Sequence, residues 1–306
     1  MAIRLQETLR AVFYAPFYIA LARGAYAQEG VDVSFVSAPT PGAAAQGLFD
    51  GTVDVCWGGP MRVMQTYDRD PASDLICFSE VVTRDPFFLI GRVPAPGFTV
   101  RDLVDKRIGI VSEVPTPWLC LQHDLRLAGV DPARLDIVAD RTMAENAAAA
   151  LRGELDVVQL FQPYVEELLD AGAHLWHAQA SRGPTAYTCF YARAATLRTR
   201  ADELAAMVRA IHRTQKFVAT ATGEAMAVTV APFFPAVPAD RLARACSRYQ
   251  ALHIWGRDPI LSRAGYDRLR ESLLSGGFVR TAKTYDEAVD NSFAQAAIAA
   301  DLPELK

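Results

Sequence analysis

Glu29-Gly30-Val31-Asp32-Val33-Ser34-Phe35-Val36 reads as a helix end followed by a strand. The glycine stops an apolar helical stripe, and the residues after it alternate apolar and polar at period two. The phrase returns as Gly129-Val130-Asp131, again just past a helical segment. A second phrase, Gly51-Thr52-Val53-Asp54-Val55, returns as Gly153-Glu154-Leu155-Asp156-Val157, both times at a helix-to-strand junction. Either match alone is weak, because glycine commonly follows a helix. Taken in order and in nearly constant register, the two predict a pair of similar β-α-β-α-β lobes.

Around these phrases the pattern predicts strands over 5–12, 31–36 and 53–57, with helices over 16–28 and 42–49. Downstream it predicts strands over 107–112, 135–139 and 155–160 and a helix over 117–128. A further helix opens at Thr142, where Glu145 three residues on forms a capping-box signature. Gly91-Arg92-Val93-Pro94-Ala95-Pro96-Gly97 predicts a crossing between the lobes, and Ser181-Arg182-Gly183-Pro184-Thr185 the return crossing, with a strand resuming over 187–191. The chain then divides into a first lobe of residues 1–91 plus 186–306 and an inserted second lobe of residues 92–185, with a ligand cleft between them. The last third is helical: Leu197, Ala201, Leu204, Val208, Ile211 and Val218 fall on one face. Further helices are predicted over 224–232, 240–252, 262–275 and 286–300. The predicted fold class is α/β, with each lobe a mixed, mainly parallel sheet flanked by helices.

A chain of 306 residues is long enough for two such lobes, and 51% hydrophobic with 22% charged residues is ordinary for a globular protein. A formal net charge of −4 gives no basic footprint, so nucleic acid is not an expected partner. No apolar run reaches the roughly 18 residues that a membrane-spanning helix needs. Met1-Ala2-Ile3-Arg4-Leu5-Gln6-Glu7 lacks the layout of a secretory signal. A cytoplasmic location is expected if the chain begins there, and a periplasmic one if a leader has been removed ahead of it. Cys56, Cys77, Cys120, Cys189 and Cys246 are scattered, odd in number and free of C-x-x-C spacing, and read as buried thiols. His174-x-x-His177 has no carboxylate or cysteine at ligand spacing, so no metal is expected, and no cofactor either. Neither a G-x-S-x-G elbow, a Walker loop nor a G-x-G-x-x-G fingerprint occurs.

Pro16-Phe17-Tyr18-Ile19-Ala20, Gly24-Ala25-Tyr26 and Glu29-Gly30-Val31-Asp32-Val33 resemble the opening signature of one group of substrate-binding proteins. Gly51-x-x-Asp54-Val55 and Asp102-Leu103-x-x-Lys106-Arg107-Ile108-Gly109 match its pattern further on, so the resemblance spans residues 10–165. The group, SsuA/THI5-like with the type II periplasmic-binding-protein fold, serves ABC importers for nitrate, sulfonates and thiamin-pyrimidine precursors. It also includes thiamin-pyrimidine synthases. The resemblance implies two lobes joined by two crossing segments, hinge closure on a small molecule in the cleft, and an ABC permease as partner.

Ligands of open α/β sheets sit beyond the carboxyl ends of the strands. That rule selects Arg10, Tyr14, Pro39, Trp57, Gly58, Thr83, Ser112, Glu113, Phe161 and Gln162, with Tyr187 at the return crossing, as ligand-binding candidates. The set is rich in flat side chains that stack on planar ligands. Many relatives carry a glycine/serine-rich anion-binding turn where this chain has Ser112-Glu113-Val114-Pro115-Thr116-Pro117. A carboxylate there, among prolines that lack amide donors, argues against a purely anionic ligand. Arg10 is expected to balance Glu113 across the cleft or to take a ligand carboxylate. The pyrimidine branch carries P-N-x-x-H in the first cleft loop, whereas here Arg10 stands at the proline and Tyr14 at the histidine.

The expected function is capture of a small, planar or heterocyclic, not purely anionic solute for an ABC importer, with no catalytic residues. The alternatives are a cytoplasmic enzyme of the same fold or a ligand sensor. As an enzyme it would be pyrimidine synthase-like, or a decarboxylase or dehydratase using Glu113 or Asp85 as acid or base. The fungal pyrimidine synthase uses a lysine-bound pyridoxal phosphate, a histidine and a C-C-C-F-C motif. This chain has neither lysine nor histidine over Trp57–Gln65 and no cysteine cluster.

Overall fold

The repeated phrases mark equivalent places in two five-stranded sheets of the computed structural model, which describes all residues 1–306. The first sheet holds β1 (Ile3–Glu7), β2 (Val33–Ser37), β3 (Val55–Gly58) and β4 (Leu75–Val82). The second holds β5 (Phe88–Gly91), β6 (Arg107–Gly109), β7 (Asp136–Val138), β8 (Val157–Leu160) and β9 (His174–Ala178). The chain then returns to the first with β10 (Thr188–Arg193). The strand orders are β2-β1-β3-β10-β4 and β7-β6-β8-β5-β9. In each sheet four strands run the same way, and the fourth position is filled by an antiparallel strand that has just crossed from the other sheet.

The repeat has a physical content. Gly30 and Gly129 stand at φ 77° and 75°, and Gly51 and Gly153 at 67° and 77°, in the left-handed region that a side chain disfavours. The aspartate of the second phrase does the same work twice. Asp54 accepts from the Arg4 amide at 2.8 Å and Asp156 from the Arg107 amide at 3.0 Å, so each fixes the entrance of the equivalent strand, β1 or β6.

In the first lobe the helices are α1 (Ala15–Ala22), α2 (Ala25–Gln28), α3 (Gln46–Phe49) and α4 (Pro60–Arg69). In the second they are α5 (Thr116–Leu127), α6 (Met143–Leu151) and α7 (Tyr164–Asp170), and α6 has the Thr142–Glu145 capping box. The C-terminal third contains α8 (Ala194–Thr199), α9 (Ala201–Thr220), α10 (Gly223–Val230), α11 (Ala239–Ala251), α12 (Arg263–Ser275), α13 (Tyr285–Ala288) and α14 (Ser292–Ala299). No helix is long and apolar enough to cross a membrane.

Two organisational expectations need correction. Gly91–Gly97 is not a crossing. Phe88–Gly91 is β5, paired with β8 and β9, so the chain leaves the first sheet over residues 83–87 and the proline-rich loop lies inside the second lobe. The buried run Phe87-Phe88-Leu89-Ile90 is the entry into the second sheet. The C-terminal helices also do more than complete the first lobe. α9 packs on α1, α2 and β4, but α11 reaches α7 and α12 packs along α5, both in the second lobe.

Candidate functional site

Between the carboxyl ends of the two sheets is a cleft walled by segments of both lobes and of the two crossings. The loop after β1 contributes Thr8, Leu9, Phe13 and Tyr14, and the entrance of α4 contributes Gly59, Met61 and Arg62, with Pro41 beside them. Val114 and Thr116 at the start of α5 face them from the second lobe, and Phe87 and Tyr187 come from the two crossings. The free volume in this cleft is about 40 Å³, far below the several hundred Å³ of a drug-sized ligand pocket.

The back wall is aromatic. Phe13 meets Phe161 edge-on at 5.2 Å and Tyr187 at 6.1 Å, and Phe87 meets Phe161 at 5.2 Å. Tyr14 is buried and its hydroxyl lies 3.2 Å from the Thr8 hydroxyl; burial pushes its phenol up to about 12. The buried Tyr187 hydroxyl has no hydrogen-bond partner. Arg62 is the one charged side chain in the lining. It is held by Gln65 Oε1 at 2.5 Å and makes no ion pair, and burial pulls its pKa below the ordinary arginine value. It also lies in the first turn of α4, which opens with Pro60, and Thr116 lies in the first turn of α5. Two helix N-termini and an uncompensated guanidinium therefore converge on the cleft, an arrangement that favours an acidic group.

Of the residues selected from sequence, Tyr14 and Tyr187 line the cleft and Phe161 stands in its back wall. The others do not line it. Trp57 is fully buried, stacked on Phe17 at 4.5 Å and Phe35 at 5.2 Å, where such pairs contribute about 0.5–1.5 kcal/mol beyond area burial. Gly58 lies under Thr8, whose Cγ2 would be 2.7 Å from an added Cβ, and its neighbour Gly59 takes the lining position. Pro39 is exposed, and Pro41 two residues on lines the cleft instead. Thr83 pairs its amide with Ile254 O at 2.8 Å in the crossing. Ser112 is exposed and bonds Arg141 O through its amide.

Arg10 does not balance Glu113. It pairs with the buried Glu7 at 2.6 Å and lies over Tyr18 and Phe233. Glu7 also accepts from Tyr18 Oη at 2.7 Å and Ser37 Oγ at 2.6 Å, so Arg10 belongs to a network that fixes the loop after β1. Glu113 turns to α6, where Oε1 accepts from the Met143 amide at 2.9 Å, while its Oε2 is buried without a partner. Gln162 is fully buried and caps α7: its Oε1 accepts from the Glu166 amide at 3.1 Å. Asp85 is bound by Arg182 and by the Phe87 amide at 2.9 Å, outside the lining.

Sequence reasoning missed Arg62 and Thr116. The usable signal was Gly59-Pro60, where a strand end runs into a proline-started helix; the candidates stopped there. All five cysteines are buried, and no cluster of three or more histidine, cysteine or carboxylate side chains stands where it would hold a metal.

The comparisons with known proteins agree with this architecture. YtlA of Bacillus subtilis (strain 168), named as a candidate binding protein, is 22% identical over 298 residues, covering 96% of this chain and 89% of YtlA. The periplasmic sulfonate-binding protein SsuA of a sulfonate ABC transporter from Methylobacillus flagellatus KT superposes with a TM-score of 0.78 at 15% identity, covering 98% of this chain and 94% of SsuA. The desulfurization enzyme DSZB superposes at 0.68 with 13% identity, covering 98% of this chain and 100% of DSZB. These superpositions bear out the two-lobed, periplasmic-binding-protein-like fold expected from the sequence. A family profile described as NMT1/THI5 like matches residues 13–225, and the chain belongs to that family.

Proposed function

We propose that this protein is the solute-binding component of an ABC-type importer, and that its solute has a planar, aromatic or heterocyclic body bearing one acidic group. The observation that carries the solute class is Arg62, the sole charge in an otherwise aromatic and hydroxyl-lined cleft, with no carboxylate partner of its own. A half-buried guanidinium without an ion-pair partner gains from a carboxylate or sulfonate that it can grip through two N–H groups. Phe13, Tyr14 and Tyr187 offer faces and edges to a flat body. The sequence argument against an anion rested on Glu113 and on the prolines beside it; Glu113 Oε1 is engaged at α6, and the case for an acid rests on Arg62 rather than on the amides of α5.

The lining contains no cysteine, histidine, aspartate or glutamate that would act as nucleophile or base, which supports binding over turnover. The likeness to SsuA, titled a periplasmic component of a sulfonate transporter, supports an ABC permease as partner.

The test is thermal shift and calorimetry with benzoate and benzenesulfonate, against benzamide and benzylamine as neutral and cationic counterparts. The acids are expected to stabilise the wild type and not Arg62→Gln. Equal stabilisation by benzylamine, or an undiminished response in Arg62→Gln, removes the acidic group from the proposal. Hydrolysis or decarboxylation of a bound probe would turn the assignment to an enzyme.

A further inference from the structure

α11 carries Arg241, Arg244 and Arg248 at helical spacing, so one of its faces is a row of guanidiniums. α7 of the second lobe faces that row with Glu166, Glu167 and Asp170. Arg248 Nε donates to Glu166 Oε1 at 2.6 Å, Arg244 reaches Glu166 at 3.3 Å and Asp170 at 2.7 Å, and Arg241 reaches Asp170 at 3.3 Å. α11 is otherwise tied to the first lobe, against α10 and residues 12–14 of the cleft loop. The row therefore joins the two lobes from outside the cleft.

The connection continues inward. Glu166 Oε1 also accepts from Gln162 Nε2 at 2.9 Å. The Gln162 amide donates to Tyr249 Oη on α11 at 3.0 Å, and that hydroxyl donates to Pro86 O in the first crossing at 3.2 Å. Gln162 follows Phe161, the ring that meets Phe13 across the cleft. Beside the row, a groove of about 730 Å³ separates β9 at Leu175 and Ala178 from α11 at Ala243 and Ser247. The ion pairs border that groove and work beside the buried Tyr249, which stacks on Phe88 of β5 at 6.0 Å.

Building on the cleft as the ligand site, we propose that Arg244 and Arg248 are positioning residues. Through Glu166 and Gln162 they hold the Phe161 wall against Phe13 and set how far the second lobe stands closed. Exposed ion pairs usually contribute little. Glu166 differs because its side chain is 2% exposed, so removing its cations strands a carboxylate that water does not reach.

The experiment compares the wild type with Arg244→Gln/Arg248→Gln and with Glu166→Gln alone, first without any ligand. Amide exchange at Gln162 is expected to quicken about tenfold in both variants, with a larger radius of gyration in small-angle scattering, while amides of β1 keep their wild-type rates. A merely structural role would speed exchange across the chain and leave the lobe separation unchanged, which overturns the proposal. So does exchange at Gln162 within about twofold of wild type in either folded variant. Glu166→Gln preserves side-chain shape, so it supplies the answer should the double variant fail to fold. With benzenesulfonate as probe, the variants should release it faster at an unchanged association rate. If benzenesulfonate and benzoate both fail to bind the wild type, the proposed solute class fails, while the exchange and scattering results still decide the positioning role.

Discussion

The two lobes share a frame and divide the work unequally. The first presents Thr8, Phe13, Tyr14, Met61 and the only charge, Arg62, to the cleft; the second presents Val114 and Thr116. Their scaffolds match down to the left-handed glycines and the aspartate that fixes the equivalent strand, β1 or β6. What differs is the loop after that strand. In the first lobe it is aromatic and fixed by the Glu7–Arg10–Tyr18 network, whereas in the second it turns its carboxylate onto α6. A duplicated frame thus yields one lobe that recognises and one that covers.

If the second lobe is a lid, its attachment should matter most to stability. Arg182, 6% exposed, binds Asp85 of the first crossing and Asp124 of α5 from its place on the return crossing. Arg182→Gln leaves both carboxylates without their cation and is expected to lower the unfolding free energy by about 3–5 kcal/mol in urea denaturation. A loss under about 1 kcal/mol, the scale of a surface pair, would mean that the crossings do not anchor the lid.

The division of labour is tested next by Arg62→Gln. It should weaken benzenesulfonate binding by about 2–3 kcal/mol in calorimetry, because hydrogen bonds to charged groups are the strong ones. The melting temperature of the free protein should hold or rise, since an unpaired, half-buried cation is removed. Thr116→Val, the matching change on the lid, should cost about 1 kcal/mol of binding or less. Equal losses from the two would break the asymmetry.

Glu113→Gln sharpens it further. It weakens a charged cap at α6, so a loss of about 0.5–1 kcal/mol of stability is expected with near-constant affinity. A large affinity loss at constant melting temperature would return Glu113 to the cleft. The smallest effect expected is on pH. Burial pushes the Glu166 carboxyl up, but the hydrogen bonds from Arg248 and Gln162 outweigh it, and its pKa stands below the ordinary value. A depressed carboxylate contributes stability above its unfolded pKa and loses it as pH falls through the folded one. Protection at Gln162, its exchange corrected for the intrinsic pH dependence of amide exchange, should therefore fall on acidification and stay level from neutral to mildly alkaline pH.

The repeat was legible because glycine and aspartate act locally: a left-handed φ and a capped amide need no knowledge of the rest of the chain. The C-terminal helices were legible from their apolar faces, with limits. The helix predicted over 16–28 is broken at Gly24, whose φ of 64° ends the helical run, and that over 286–300 is two short helices. β5 was missed, and β4 was marked only by its end at Thr83, because they lie between the repeated phrases and are buried along nearly their whole length, which removes the alternation that marks a half-buried strand. Trp57 was misplaced for a related reason. The strand-end rule gives position along a strand but not which face a side chain takes, and Trp57 faces the helices. Arg62 lay one turn beyond the last candidate, in a stretch scanned for lysine and histidine alone.

The crossings touch: Thr185 donates its amide to Thr83 O at 2.9 Å, and Tyr187 to Val82 O at 3.0 Å. The second lobe thus begins and ends at one point, like a parenthesis opened inside the ladder of β4 and β10. A segment with such abutting ends is exchangeable between relatives without reordering the host sheet. Recombination there would swap the cover, while Arg62 and the Tyr14 loop stayed with the recipient.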